Sequence, residues 1–416
     1  MGVVKEGRYL LVPFFTLYMI LFLYLPLLPH SVHCQCTKTP IIFNFGDSNS
    51  DTGGYADGVG LNFAPPNGRT YFHQPARRLS DGRLMIDFLC KFTKFRFFVS
   101  PPTDHYLSGN GSFWKPWSEI ACSMLTRMLN ICAGESLNTD YLTPYLNSLE
   151  PNFTNGVNFA IIGSATLPRY VPFSLFVQVS QFLRFRYRSP ALMLNGYKDL
   201  VGDEDFENAL YTIDIGQNDL AASFDNLTYS QVIERIPSFI TEIKNAIWNI
   251  YEKGGKKFWV HNTGPLGCLP QKLALLAPNA TELDEHGCLQ PLNNAAKTFN
   301  AQLRVLCEQL RRELINVTIV YVDIYSIKYD LIANASNYGF ESPLMACCGN
   351  GGPPYNYNAN INCGRTGYTV CHEGSKFISW DGVHYTEAAN AIFASKILST
   401  YYSTPQLSFN FFCNNM

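Results

Sequence analysis

An α/β fold with a central, mainly parallel five-stranded sheet is what the 416-residue sequence predicts, on three observations. Five short runs rich in β-branched and aromatic residues recur with helical stretches between them. Strands that alternate with helices pair in parallel and are buried on both faces. Three of those runs lead into small polar clusters, Gly46-Asp47-Ser48, Gly163-Ser164-Ala165 and Gly216-Gln217-Asn218-Asp219. In an open α/β sheet the loops at the carboxyl ends of the strands share one edge, where ligands bind, so the three clusters can converge. The composition is 47% hydrophobic and only 15% charged, which supplies a large core and excludes extended disorder.

The elements follow in chain order. Lys5 and Arg8 precede an apolar run from Leu10 to Leu28, and Pro29 and His30 close it. Residues 1–33 therefore read as a secretory signal peptide. An uncleaved anchor is the competing reading, because the run approaches the ~20 residues of a spanning helix. Pro26 and Pro29, with small residues nearby, favour cleavage, and no later segment is apolar enough to leave a stable membrane span. Residues 38–402 read as one domain, without an internal repeat or a dividing linker. Its strands are expected at 40–45, 156–162, 209–215, 256–262 and 318–324. Its clearest helices are expected at 230–253, 289–314 and 386–401, with Thr386 as the cap of the last.

A net charge of -2 with scattered lysines and arginines gives no electrostatic reason to bind nucleic acid. Six Asn-x-Ser/Thr sequons, at Asn110, Asn152, Asn226, Asn279, Asn316 and Asn334, fit an exported glycoprotein. Thirteen cysteines include Cys34, Cys36 and a cluster of Cys347, Cys348, Cys363 and Cys371 around a Gly/Pro/Asn-rich loop at 349–362. In an oxidising compartment that cluster predicts disulfides, with the pairing open. A metal site finds no support, since no Cys-x-x-Cys pair or histidine spacing accompanies it.

The chemistry centres on Ser48, where the apolar run from Ile41 to Phe45 stops at a glycine and a hydroxyl. Far downstream, Trp380-Asp381-Gly382-Val383-His384 places an acid and a histidine three residues apart, just before a helical pattern. Serine needs a base to take its proton, and the base needs a fixed tautomer, so these three residue types point to a hydrolase. Each also has a bland reading: Ser48 as a helix cap, His384 as a surface histidine, Asn218 as a turn residue and Asp381 as a helix-terminal charge. His73, His261 and His286 read as structural, and Asp219 as a loop support. The Gly-x-Ser-x-Gly elbow is absent, which argues against the α/β-hydrolase fold proper. Walker, His-Glu-x-x-His and dinucleotide patterns are also missing, and no cofactor or metal is expected.

Taken together, Phe45-Gly46-Asp47-Ser48, the stretch from Asn155 to Gly163, Gly216-Gln217-Asn218-Asp219 and Trp380-Asp381-Gly382-Val383-His384 make the chain resemble the plant GDSL-type esterases/lipases of the SGNH hydrolase superfamily. The pieces occur in that family's order over nearly the whole mature chain. The wording around Ser48 and His261 to Cys268 is similar to an early-nodulin-like subgroup that also carries acetylesterase and α-fucosidase labels. The resemblance implies a three-layer, flavodoxin-like fold. It also implies Ser48 as nucleophile, His384 as general base, Asp381 as the group orienting the imidazole, and an oxyanion hole from the N–H groups of Ser48 and Gly163 and the amide of Asn218. Losing one such donor commonly costs roughly 100- to 1000-fold in rate.

The expected function is a secreted, extracellular serine esterase of the apoplast or cell wall, acting on a small-molecule, lipid or carbohydrate ester through an acyl-enzyme. An α-fucosidase-like glycosidase is the alternative, with Asp47, Asp51 and Asp381 as carboxylate candidates. A catalytically idle secreted binding protein is the third reading. Residues 92–134 depart from the family pattern, which passes almost directly from Leu89-Cys90-Lys91 to Ser136-Leu137-Asn138. That segment reads as a retained intron translated in frame, or alternatively as a genuine lid.

Overall fold

The structure, a computed structural model, describes residues 40–91, 141–149, 151–169, 171–407 and 411. The expected signal peptide, the 92–134 segment with its sequon at Asn110, and Cys34 and Cys36 lie outside the described residues.

Five parallel strands carry the fold: β1 (Ile42–Gly46), β2 (Gly156–Asn158), β3 (Leu210–Asp214), β4 (Lys257–His261) and β5 (Thr318–Val322), in the spatial order β2-β1-β3-β4-β5. Each lies within the run expected for it or shifted by one residue. A two-residue strand, Ser403–Thr404, adds antiparallel to β5 and makes the sheet six-stranded. Its sequence is too short to announce a strand. Neighbouring groups hold it there: the Asp323 N–H donates to the Tyr402 carbonyl at 2.8 Å and the Arg311 guanidinium to the Thr404 carbonyl at 2.5 Å. The fifth strand stops at Val322, short of the expected 324, because the Asp323 carboxylate accepts the Ser326 N–H and starts a helix instead.

Strand side chains alternate between two cores. Phe43, Phe45, Tyr211, Phe258 and Ile319 face helices Leu175–Leu194, Tyr229–Tyr251 and Gln290–Glu313. Ile42, Leu210, Trp259 and Val320 face helices Met85–Lys91, Ile324–Ala333 and Glu387–Leu398. The result is a three-layer sandwich. All five β1 residues are buried, as a strand covered on both faces requires. On the first side the core is largely aromatic, with Phe43 stacked on Phe206 at 5.1 Å and on Tyr211 at 5.3 Å.

The expected helices form with ends within one to three residues of their predicted limits. Tyr229–Tyr251 buries Val232, Ile236, Phe239, Ile243, Ala246, Ile247 and Ile250, one stripe at helical spacing. Thr386 caps the last helix as predicted, its hydroxyl accepting the Ala389 N–H. The helix Leu175–Leu194 went unpredicted, since Arg184, Arg186, Arg188 and Pro190 obscure its apolar stripe.

The order β2-β1-β3 makes β1 and β3 the two strands from which the chain runs to opposite sides, the switch point where open α/β sheets bind ligands. Tight pairing on the other flank of β1 depends on Gly156. Its φ is +105°, and a Cβ would sit 2.0 Å from the Ile42 carbonyl oxygen. Gly156→Ala should therefore cost about 3 kcal/mol or more in urea unfolding, through strain and overlap with backbone that cannot yield.

Candidate active site

Ser48 stands just past the end of β1, and the strand end is fixed from behind. Gly46 donates its N–H to Gln178 Oε1 at 3.0 Å and receives Gln178 Nε2 on its carbonyl at 2.8 Å. The fully buried glutamine thus supplies both halves of a backbone-like pair. Asn44 extends the frame, donating to Ser50 Oγ at 3.0 Å and Asn158 Oδ1 at 2.8 Å while accepting from Thr212 Oγ1 at 2.7 Å. These bonds tie the Ser48 loop to its neighbours on both sides.

His384 arrives from the segment before the last helix. Its Nε2 lies 2.8 Å from Ser48 Oγ, and its Nδ1 lies 2.7 Å from Asp381 Oδ2. The other Asp381 oxygen accepts the N–H groups of Val383 at 2.9 Å and His384 at 2.8 Å. Burial alone would raise the Asp381 carboxyl, but the His384 imidazole and these two N–H groups outweigh it and hold the group below the usual carboxylate range. Asp381 is therefore an ionised acceptor at neutral pH. The segment leans on the disulfide module beside it: Cys347 donates its N–H to the Ser379 carbonyl and Cys348 to that of Trp380. Cys347 pairs with Cys371 and Cys348 with Cys363, which resolves the pairing left open by the sequence. A third pair, Cys268–Cys288, joins two further loops.

The remaining clusters are tied by hydrogen bonds to Asp47 and Asp51, on either side of Ser48. Gly163 takes a φ of +77°, and the N–H of Ile162 before it donates to Asp51 Oδ2 at 2.8 Å. Asn218 opens the helix Gln217–Ser223, where its Nδ2 donates to the Ser164 carbonyl at 2.8 Å and approaches Asp47 Oδ2 at 3.4 Å. Asp219 is buried and accepts the N–H and hydroxyl of Thr166, the loop-supporting role expected of it. Among the described histidines only His384 hydrogen-bonds the Ser48 hydroxyl, while His261 is buried away from it beside Asp214.

Three carboxylates had been glycosidase candidates. Asp51 is fully buried and accepts four backbone N–H groups, from Gly53, Gly54, Tyr55 and Ile162. Asp47 is equally buried, and burial together with the Asp214 charge pushes its carboxyl up to about 6. Asp381 is engaged by His384. Nothing in the sequence signals Gln178, which lies on the unpredicted helix, or Arg169, whose guanidinium donates to the Asn218 carbonyl at 2.8 Å. Of the sequons, Asn226, Asn279, Asn316 and Asn334 are exposed and Asn152 is half-buried. No group of three metal-ligating side chains occurs among the described residues.

A hydrogen-bonded serine, histidine and aspartate at the carboxyl edge of a three-layer sandwich define a hydrolase-type site. The chain belongs to the GDSL-like lipase/acylhydrolase family, whose model matches residues 42–397. It is 54% identical over 385 residues to GDSL esterase/lipase At1g09390 of Arabidopsis thaliana, with 91% of each chain covered. It is 52% identical to GDSL esterase/lipase LIP-4 of the same plant, again over 91% of each. A relative named Alpha-L-fucosidase 3, also from Arabidopsis thaliana, is 40% identical over 88% of this chain and 92% of its own. Membership makes the protein a hydrolase acting on ester bonds.

The most exacting of these contacts is Asp51. Asp51→Ala would strand four backbone donors, three of them in the Ser48 loop and one beside Gly163. The expected loss is about 2–4 kcal/mol by chemical denaturation, with Asp51→Asn intermediate because its one oxygen can serve only part of the set.

Proposed function

We propose that the protein is a secreted esterase that cleaves carboxylic esters through an acyl-enzyme on Ser48. The observation that carries the reading is the unbroken chain from Ser48 Oγ through His384 to Asp381, with spacings of 2.8 and 2.7 Å. Ser48 Oγ attacks the ester carbonyl carbon while its proton passes to His384 Nε2. The resulting oxyanion is met by the N–H groups of Ser48 and Gly163 and the amide of Asn218. Collapse of the tetrahedral species expels the alcohol, which takes the proton from His384, and leaves the acyl group on Ser48. Water then attacks that ester with His384 again as base, releasing the acid and restoring the serine. Asp381 stays ionised throughout and fixes the imidazole with Nε2 toward the serine.

The fucosidase name belongs to a relative. In this chain Asp51 is saturated by backbone donors, and Asp381 already serves His384. Neither is placed to act as one of two free carboxylates. Export is supported by the N-terminal apolar run, the exposed sequons and the disulfides. No helix among the described residues is long and apolar enough to cross a membrane.

Residues 92–134 are proposed to be a retained intron. Cys90 hydrogen-bonds the backbone of Leu142, so the chain on either side of the segment meets within the fold. Reads of the mature transcript should pass from the Lys91 codon directly to that of Glu135 or Ser136, which would exclude a lid; mature transcripts that all keep the segment would overturn the intron reading.

Hydrolysis of p-nitrophenyl acetate tests the mechanism. Ser48→Ala should abolish turnover, and Asn218→Ala should lower kcat roughly 100- to 1000-fold. His384→Ala should cost turnover as heavily as Ser48→Ala, because the serine proton then has no acceptor. Equal turnover in Ser48→Ala or in His384→Ala would remove the corresponding residue from the mechanism.

A further inference from the structure

Asp47 adjoins the serine but has no part in the transfer just described, and Gln217 belongs to none of the roles assigned to its loop. Both are engaged with each other. Gln217 Nε2 lies 2.9 Å from one Asp47 oxygen and 2.8 Å from the other. The N–H and side-chain amide of Asn49 donate to Asp47 Oδ1 at 3.0 and 3.1 Å. Asn218 Nδ2 approaches Oδ2 at 3.4 Å. Every one of these neighbours is a donor, so the site fits an acceptor-only carboxylate and no other group as well.

We propose that Asp47, clamped by Gln217, is the positioning residue of the oxyanion pocket, fixing the Asn218 carboxamide with its N–H groups rather than its oxygen directed at the reacting ester. The inference rests on the reading of Asn218 as an oxyanion donor. An amide can be turned over at little steric cost, and the wrong end would present a lone pair to a developing negative charge. One Asn218 hydrogen is committed to the Ser164 carbonyl at 2.8 Å. The other lies on the Asp47 side across a distance too long for a strong bond, so it is oriented without being consumed and stays available to a substrate oxygen on that side. Gln217 and Asn49 supply the close contacts to the carboxylate, so Asp47 does not compete for that hydrogen.

The charges around Asp47 bear on the test. Asp214 faces it from the end of β3 and is itself paired with His261 of β4 at 3.8 Å, with Lys328 of helix Ile324–Ala333 adding positive charge. On the other side, Ser48 links to His384. Burial and Asp214 raise the Asp47 carboxyl to about 6, and hydrogen bonds from Asn49 and Gln217 oppose them. Removing the Gln217 donors should raise it further.

Asp47→Asn and Gln217→Met, made in the full chain, would be assayed with p-nitrophenyl acetate from pH 5 to 9. Rates would be expressed per site labelled by a fluorophosphonate. For Asp47→Asn, kcat at pH 8 should fall roughly 10- to 100-fold with KM within about twofold, the pattern of an interaction made only in the transition state. For Gln217→Met, the acid limb of kcat should move to higher pH. Thermal melts add a readout independent of turnover. The folded chain holds the Asp47 proton more tightly than the unfolded chain, so wild-type stability should decline relative to Asp47→Asn between about pH 4 and 6. Wild-type kcat per labelled site in Asp47→Asn, or an unmoved acid limb in Gln217→Met, overturns the positioning role alone. A wild type that neither labels nor turns over removes the esterase reading, and the positioning role with it.

Discussion

Where parallel strands stop pairing, their backbone N–H groups need other acceptors, and the edge of this sheet is organised by how those acceptors are provided. Buried carboxylates supply several of them. Asp51 serves the turn after Ser48 and reaches across to Ile162; Asp219 serves Thr166; Asp381 serves Val383 and His384. An ionised acceptor makes hydrogen bonds about twice as strong as a neutral one, which suits loops that have no ladder to hold them. Each carboxylate also spans two loops or fixes one that carries a reacting group.

That arrangement has an electrostatic consequence. Burial raises the carboxyls of Asp47, Asp51 and Asp219, while the many N–H donors around them pull the other way. Asp214 departs from this pattern because His261 and Lys328 stand behind it, and it is held low despite its burial. The edge of the sheet therefore carries at least the two carboxylates held below the usual range, Asp214 and Asp381. A negative charge there favours the imidazolium that forms on His384 during proton transfer and disfavours an oxyanion. The donors of the oxyanion pocket must outweigh that second effect, so their orientation matters more here than in a neutral site.

Much of this was legible in the sequence, for identifiable reasons. The five strands are short, buried on both faces and rich in β-branched and aromatic residues, so their runs are continuous and distinct. Ser48 and Asn218 sit at a strand or helix end and Asp381 beside a glycine, where small polar residues stand out, and His384 and Gly163 follow a short distance from such ends. Gln178 was not legible because its effect depends on tertiary placement: nothing in Val-Gln-Val-Ser announces that one amide will substitute for a strand partner of Gly46. The strand Ser403–Thr404 was hidden for the same reason, being defined by Asp323 and Arg311 rather than by its own two residues. The roles of Asp47 and Asp51 were misjudged as possible free carboxylates, since sequence alone does not reveal how many donors converge on an acid.

The disulfide module bears on the same problem from the other end of the chain. His384 lies on an irregular segment, and an irregular segment has no helix or ladder to hold an imidazole in place. Ser379 and Trp380 instead give their carbonyls to the N–H groups of Cys347 and Cys348, each of which is cross-linked to a distant residue of the same loop. Trp380 is fully buried and donates its indole N–H to Asn67 Oδ1 at 2.9 Å, and Arg69 stacks over its ring while bonding the Cys371 carbonyl. The cross-links restrict the loop, the loop fixes Trp380, and the next residue is Asp381. Reduction would thus loosen the support of Asp381 and His384 while leaving Ser48 and its frame in the sheet untouched.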